Sequence, residues 1–233
     1  MNMTDRRRIL VANSKKGHNL PSGFQEVEYI RKTDGIFGDN SSPFNTIHTG
    51  AIINFNNFIT SGDTKIEIVC RALPDISTST TNNYFFGRYQ VGRVQCGVKY
   101  LTEKSYSYIL AYNNFTQNVE SSINCFDWLH IVTTNKLIVN NQTLLQYEPQ
   151  RFTNSKGLAL FGQFSPTGRI NLVIHGDVKY IKGYSNGVDC DLYAVPCYRK
   201  SDGEIGMYDL IDNIFYSNVG YSQGHFEKGA DVN

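Results

Sequence analysis

No apolar run in the chain approaches the roughly 18 residues that a helical bilayer span requires, so insertion into a membrane is not expected. The apolar stretch near the start, Ile9-Leu10-Val11-Ala12, is far too short for the core of a secretory signal, and Lys15-Lys16 follow it closely, so export by a signal peptide is not expected either. The five cysteines (Cys70, Cys96, Cys125, Cys190, Cys197) include no C-x-x-C pair, which argues against zinc-ribbon and thioredoxin-type chemistry. Reduced, buried thiols are the expectation, with a Cys190–Cys197 bridge as the alternative. The five histidines are far apart in sequence and form no H-x-x-x-H pair, so no zinc site is expected. There is no G-x-S-x-G elbow, no G-x-x-x-x-G-K-[ST] loop and no G-x-G-x-x-G opening a helix, so serine-hydrolase, P-loop and dinucleotide chemistry lack their usual signatures.

Charge is also scarce, at 18% of residues against 40% hydrophobic, a balance that belongs to a folded chain and not a disordered one. Alanine and leucine are sparse beside 15 Tyr and 14 Phe, which favours strands. The 233 residues are enough for one large all-β domain. The basic residues are unevenly placed. Residues 1–20 hold five of them against one acid, leaving 17 basic against 20 acidic in the remainder. A basic tail on a mildly acidic body suggests that the tail has its own partner. We therefore divide the chain into a docking arm, residues 1–19, and a body, residues 20–233.

Leu20-Pro21-Ser22-Gly23 punctuates the start of the body. Beyond it, strands are expected at Phe24–Ile30, Ala51–Phe58, Lys65–Cys70, Tyr84–Tyr89, Val91–Tyr100 and Tyr106–Tyr112, with Gly92 and Gly97 as bends or bulges and residues 76–83 as a loop. The Lys65–Cys70 segment alternates with period two, as a half-buried strand should. A hairpin follows, Trp128–Thr134 and Leu137–Val139 about Asn135-Lys136, and then a turn at Asn140-Asn141. Further strands are expected at Leu158–Gly162, Ile170–Ile174, Val178–Tyr184 and Leu192–Cys197. No stretch repeats its apolar residues at helical spacing. The pattern predicts an all-β, two-sheet jelly-roll sandwich.

Three phrases carry a resemblance. The body opens with "LPSGFQEVEYI", centres a hairpin on "WLHIVTTNKLIVNNQ" and closes with "VPCYRKSDGEIGMYDLIDNIFYSNVG", while "RRRIL" stands before the body. In this order they resemble the concanavalin A-like (laminin-G/lectin-type) jelly-roll domains of phage and prophage virion proteins. The segment Asp34–Ser42 is longer than the family's turn there, and Asn140-Asn141 replaces the usual Asp-Gly or Asn-Gly. The resemblance implies a virion surface component without catalysis: a capsid-decoration, head-fibre or tail-associated protein, present in many copies and assembled in the host cytoplasm. Its arm, Arg6, Arg7, Arg8, Ile9, Leu10 and Val11, is expected to dock on another virion protein. Ile9–Val11 would add to a sheet edge or groove while the arginines pair with acids. With no aromatics interleaved among its basic residues, the arm reads as an anchor before a nucleic-acid binder.

Aromatics beside amides suit the apolar face and hydroxyls of a sugar. Tyr84, Tyr106, Tyr108, Tyr112, Asn113 and Asn114, taken as loop residues although Tyr84–Tyr89 and Tyr106–Tyr112 also read as strands, are the candidate ligand residues for a host-surface glycan, with protein contact as the equal alternative. The competing function is a glycoside hydrolase of the same fold, which needs two carboxylates roughly 5–10 Å apart. Glu26 and Glu28 share a face if the strand is regular, but the E-x-D-x-E spacing is missing, so no catalytic residue is assigned. No cofactor is assigned, although Asp34, Asp39 and Asn40 could offer oxygens to Ca²⁺. In the closing phrase, Ser201-Asp202-Gly203 reads as a tight turn and Arg199 as an ion-pair partner of Asp202. Tyr208-Asp209 within a ligand site is the minor alternative.

Overall fold

The structure is a computed structural model, and it describes residues 17–34, 50–78, 83–88, 94–102, 105–112, 115–146, 148, 155–164, 170–171, 174–219 and 225–232. Residues 6–11, the expected docking segment, lie outside the described residues, as do Asn113, Asn114, Asp39, Asn40 and Gly92. The described residues form an all-β sandwich of two main sheets, with one 3₁₀ turn at Pro74–Thr78 in the segment expected to be a loop.

The larger sheet runs Gln142–Gln146, Lys136–Val139, Leu129–Thr133, Lys65–Ala72, Gly176–Tyr184, Leu192–Arg199, Ile205–Asp209, Ile214–Tyr216. Phe24–Glu26 joins it beside Leu192–Arg199, and Ile30–Lys32 lies between Gly176–Tyr184 and Glu227–Lys228. The smaller sheet runs Ile170–Asn171, Gln163–Phe164, Asn83–Arg88, Val94–Thr102, Ser105–Tyr112, Phe115–Ser121. Neighbours in the larger sheet are distant in sequence. After Ala72 the chain crosses to build the smaller sheet and returns at Leu129 on one flank of Lys65–Ala72. It crosses again after Gln146 and returns at Gly176 on the other flank. These crossovers are those of a jelly roll.

Period two explains why the sheets stack. Along Lys65–Ala72 the burial alternates strictly, with Ile66, Ile68, Cys70 and Ala72 inward and Lys65, Glu67, Val69 and Arg71 outward. The inward set meets Phe85, Phe86, Cys96, Val98 and Leu110 of the smaller sheet in one continuous apolar cluster. All five cysteines are free thiols and buried.

Turns follow the backbone needs of their residues. Asn140 and Asn141 have φ of 49° and 66° and close a two-residue hairpin between Val139 and Gln142, a geometry that asparagine tolerates. The preceding turn falls at Thr134-Asn135, one residue earlier than expected. Gly97 faces a bulge at Phe85 and sits so close to Asn83 that a Cβ would lie 2.2 Å from the Asn83 carbonyl oxygen. Some expectations change: of Ala51–Phe58 only Ile53–Asn54 is strand, and of Leu158–Gly162 only Ala159–Leu160. Phe24–Ile30 is not one strand but two, Phe24–Glu26 and Ile30–Lys32: Val27 still donates to the Pro196 carbonyl and bridges Asp231, and the chain then bends at Glu28. Phe115–Ser121, whose polar sequence gave no apolar alternation, is a full edge strand beside Ser105–Tyr112.

Candidate binding face

The outward residues of the larger sheet form rows set by strand register. Arg71 pairs with Asp177, Asp177 with Arg31, and Arg31 with Glu227. Trp128 precedes Leu129, whose partner is Cys70, and so stands beside Arg71. The Arg71 guanidinium carbon is 4.6 Å from the Trp128 ring centroid. Lys179 completes the group through a backbone irregularity. The register between Gly176–Tyr184 and Lys65–Ala72 shifts between Val178 and Tyr180, leaving Lys179 as the bulged residue. A bulge re-aims its side chain. Here it brings the exposed Lys179 Nζ to 4.3 Å from the Trp128 centroid. Tyr29, half-buried, lies 6.0 Å from Trp128 ring to ring and carries Arg31 at 5.3 Å.

Asp177 organises this row. Its side chain is 0% exposed, and it accepts from Arg31 Nε at 2.7 Å, Arg31 Nη2 at 2.9 Å and Arg71 Nε at 2.7 Å, with Arg71 Nη2 also at 2.7 Å. A buried carboxylate needs such pairing to be tolerated. The Asp177 hydrogen bonds hold the Arg31 guanidinium above its ordinary pKa, outweighing its partial burial.

A second cluster lies further along the same face. Glu67 Oε1 accepts from the Tyr180 hydroxyl at 2.9 Å and lies 3.3 Å from His130 Nε2 and 3.8 Å from Lys182 Nζ. Burial alone would raise the Glu67 carboxyl, but Lys182, Tyr180 and His130 together hold it below its usual range. Beside it, His18 is clamped between Glu26 Oε1 at 2.9 Å and the Tyr193 hydroxyl at 2.7 Å, and its amide donates to Glu26 Oε2.

The residues proposed from sequence for sugar contact fall elsewhere. Tyr84, Tyr106 and Tyr108 do not sit in loops but in the strands Asn83–Arg88 and Ser105–Tyr112, with their rings buried. Tyr106 packs on Phe126, and the Tyr108 hydroxyl donates to the Ile123 carbonyl. Tyr106 and Tyr108 are two apart on a strand whose inward face is the core, so they cannot offer ring faces to a ligand. Tyr112 ends the same strand. Glu26 and Glu28 do not form a facing pair: the strand stops at Glu26, which is engaged by His18, while Glu28 is exposed.

Asp34 is also committed. It takes Lys32 Nζ at 2.6 Å and the amides of Ala51 and His225, so a fully buried ammonium neutralises the carboxylate considered for Ca²⁺. Among the described residues no three His, Cys, Asp or Glu side chains are placed to share a metal.

In the closing phrase, Gly203 takes φ 74° in the turn, Arg199 pairs with Asp202 at 2.6 Å, and Asp202 Oδ1 accepts the Glu204 amide. Tyr208 and Asp209 are buried, and Asp209 accepts the backbone amides of Tyr193 and Ile211. The phrase forms two successive hairpins, Leu192–Arg199 with Ile205–Asp209 and Ile205–Asp209 with Ile214–Tyr216, which end the larger sheet.

Sequence reasoning singled out the Trp128 hairpin but not Tyr29, Arg31, Arg71, Asp177 or Lys179. Nothing local marks them, because register brings them together from four separate strands and loops.

No protein-family model matches the chain, and no curated protein matches it. Among solved structures, the native heptameric SAP-like pentraxin from Limulus polyphemus is similar with a TM-score of 0.49 at 8% identity, over 68% of this chain and 76% of that one.

Proposed function

We propose that this chain is a non-catalytic surface module of a virion, docked through its N-terminal arm and binding glycan through the outer face of its larger sheet. The observation that carries the reading is the row Trp128, Arg71, Asp177, Arg31 with Tyr29 and Lys179. It is an outward aromatic and cationic surface whose charged residues stand on paired strands and whose two rings, Tyr29 and Trp128, each immediately precede one. The virion assignment rests on the three phrases in the sequence. The closing one, which could have been read as a site, is accounted for by turn, ion-pair and backbone-capping roles. The commitment of Glu26 to His18 supports a binding role over hydrolysis.

The test has two parts. The purified protein is incubated with a polysaccharide panel and assayed for retention and for reducing ends. Retention without reducing-sugar release is expected. Release that Glu26→Gln or Glu28→Gln stops would establish the hydrolase instead. Deletion of residues 1–19 is expected to abolish co-purification with particles, and unchanged incorporation would refute the anchor.

A further inference from the structure

We infer that the Arg71, Lys179 and Trp128 end of this row is a subsite for a single anionic group, a carboxylate or sulfate, carried on a saccharide. The inference rests on the glycan-binding reading above and specifies its ligand class.

Covalent geometry gives the first argument. Asp177 engages Nε and Nη2 of both Arg31 and Arg71. Those two nitrogens form one side of each guanidinium fork, so Nη1 of each is directed away from Asp177. Stacking on an aromatic uses the faces of a guanidinium and leaves its in-plane N–H groups for an anion.

Charge gives the second. Two guanidiniums share one carboxylate, and Lys179 adds a further cation through its bulge. Glu227 lies opposite Arg31 in register, with Oε1 accepting from the Thr33 hydroxyl, and offsets the Arg31 end. The surplus is therefore concentrated at Arg71 and Lys179.

The third argument concerns the kind of ligand. Positive charge on this face is interrupted by Glu227 and Glu67, and the body has 17 basic residues against 20 acidic. That offers one positive spot and not the track a polyphosphate backbone needs. The half-buried Tyr29 and Trp128 supply apolar surface beside the spot, which suits the C–H face of a sugar.

Trp128 is the chain's single tryptophan, so its fluorescence reports on the subsite directly. The intact protein is titrated with oligomers of uronic acids, sulfated galactan oligomers, neutral glucan and mannan oligomers, inorganic sulfate, oligo-glutamate and single-stranded DNA. The expected result is a saturable change with the acidic sugars alone, weakened several-fold between low and physiological salt. Lys179→Ala, at an exposed position that leaves the Asp177 network intact, is expected to weaken it at least tenfold with an unchanged thermal melt. Neutral sugars binding as tightly, with no effect of Lys179→Ala, would overturn the anionic subsite and leave the glycan-binding reading standing. Sulfate, oligo-glutamate or DNA binding as well as the acidic sugars would overturn the saccharide assignment. No response to any sugar, together with no retention in the polysaccharide assay, would overturn both.

Discussion

Asp209 ends the strand Ile205–Asp209 with its side chain almost fully buried. Burial pushes its carboxyl up to about 6, with Asp212 adding to the rise, while the backbone donors of Ile211, Tyr193 and Asp212 pull the other way and lose. The native pKa thus lies above the unfolded value of 3.8. The folded state holds this proton more tightly than the unfolded state does. The charged form therefore costs native stability above about pH 6. The cost shrinks as pH falls between the two values and is absent below 3.8.

Two pKa units correspond to about 3 kcal/mol. Asp209→Asn keeps an oxygen for the Tyr193 and Ile211 amides and removes the charge, but it loses the bond from Asp212, worth about 1 kcal/mol. The variant should then be about 2 kcal/mol more stable than the parent at pH 8 and no more stable at pH 4. Urea unfolding at both pH values, with m unchanged, measures this directly. Equal shifts at the two pH values, or a loss at pH 8, would refute the argument that buried charge governs this site.

Removing the carboxylate of Asp177 by Asp177→Ala strands the guanidiniums of two half-buried arginines and should cost about 3 kcal/mol in urea unfolding. Gly97→Ala drives a Cβ against backbone that cannot yield, so a loss of at least about 2 kcal/mol is expected, read as a lowered thermal midpoint. The buried thiols are held protonated by desolvation, with Cys125 and Cys197 pushed up to about 12 and Cys190 to about 11. A thiol-disulfide reagent at pH 8 should therefore label none of the five in the native protein and all five in urea, and prompt labelling of the folded protein would contradict their placement.

The fold was legible where chemistry is local. Lys65–Ala72 shows its inward face by alternation alone, and Asn140-Asn141 and Ser201-Asp202-Gly203 name their turns through the residues that tolerate them. Phe115–Ser121 was not legible, because an edge strand with a solvated face carries no apolar stripe. The aromatic residues misled. Tyr106 and Tyr108 suggest ligand contact as aromatics near the amides of Asn113-Asn114, yet their strand sets both facing the core, and the Ile123 carbonyl satisfies Tyr108. The proposed binding face was hidden for a different reason. Arg31, Arg71 and Asp177 are unremarked in their own segments, and only pairing across the sheet makes them one group.

The placement of the first strands has a consequence for synthesis. Among the described residues Phe24–Glu26 ladders with Leu192–Arg199, and Ile30–Lys32 must wait for Gly176–Tyr184 and then for Glu227–Lys228. At roughly 5–20 residues per second, these two strands stay without their neighbours for on the order of ten seconds after leaving a ribosome. The larger sheet can close only after Glu227–Lys228 has been made, so nascent chains should depend on holding factors, and truncations that remove Glu227–Val232 should loosen Phe24–Lys32 as well.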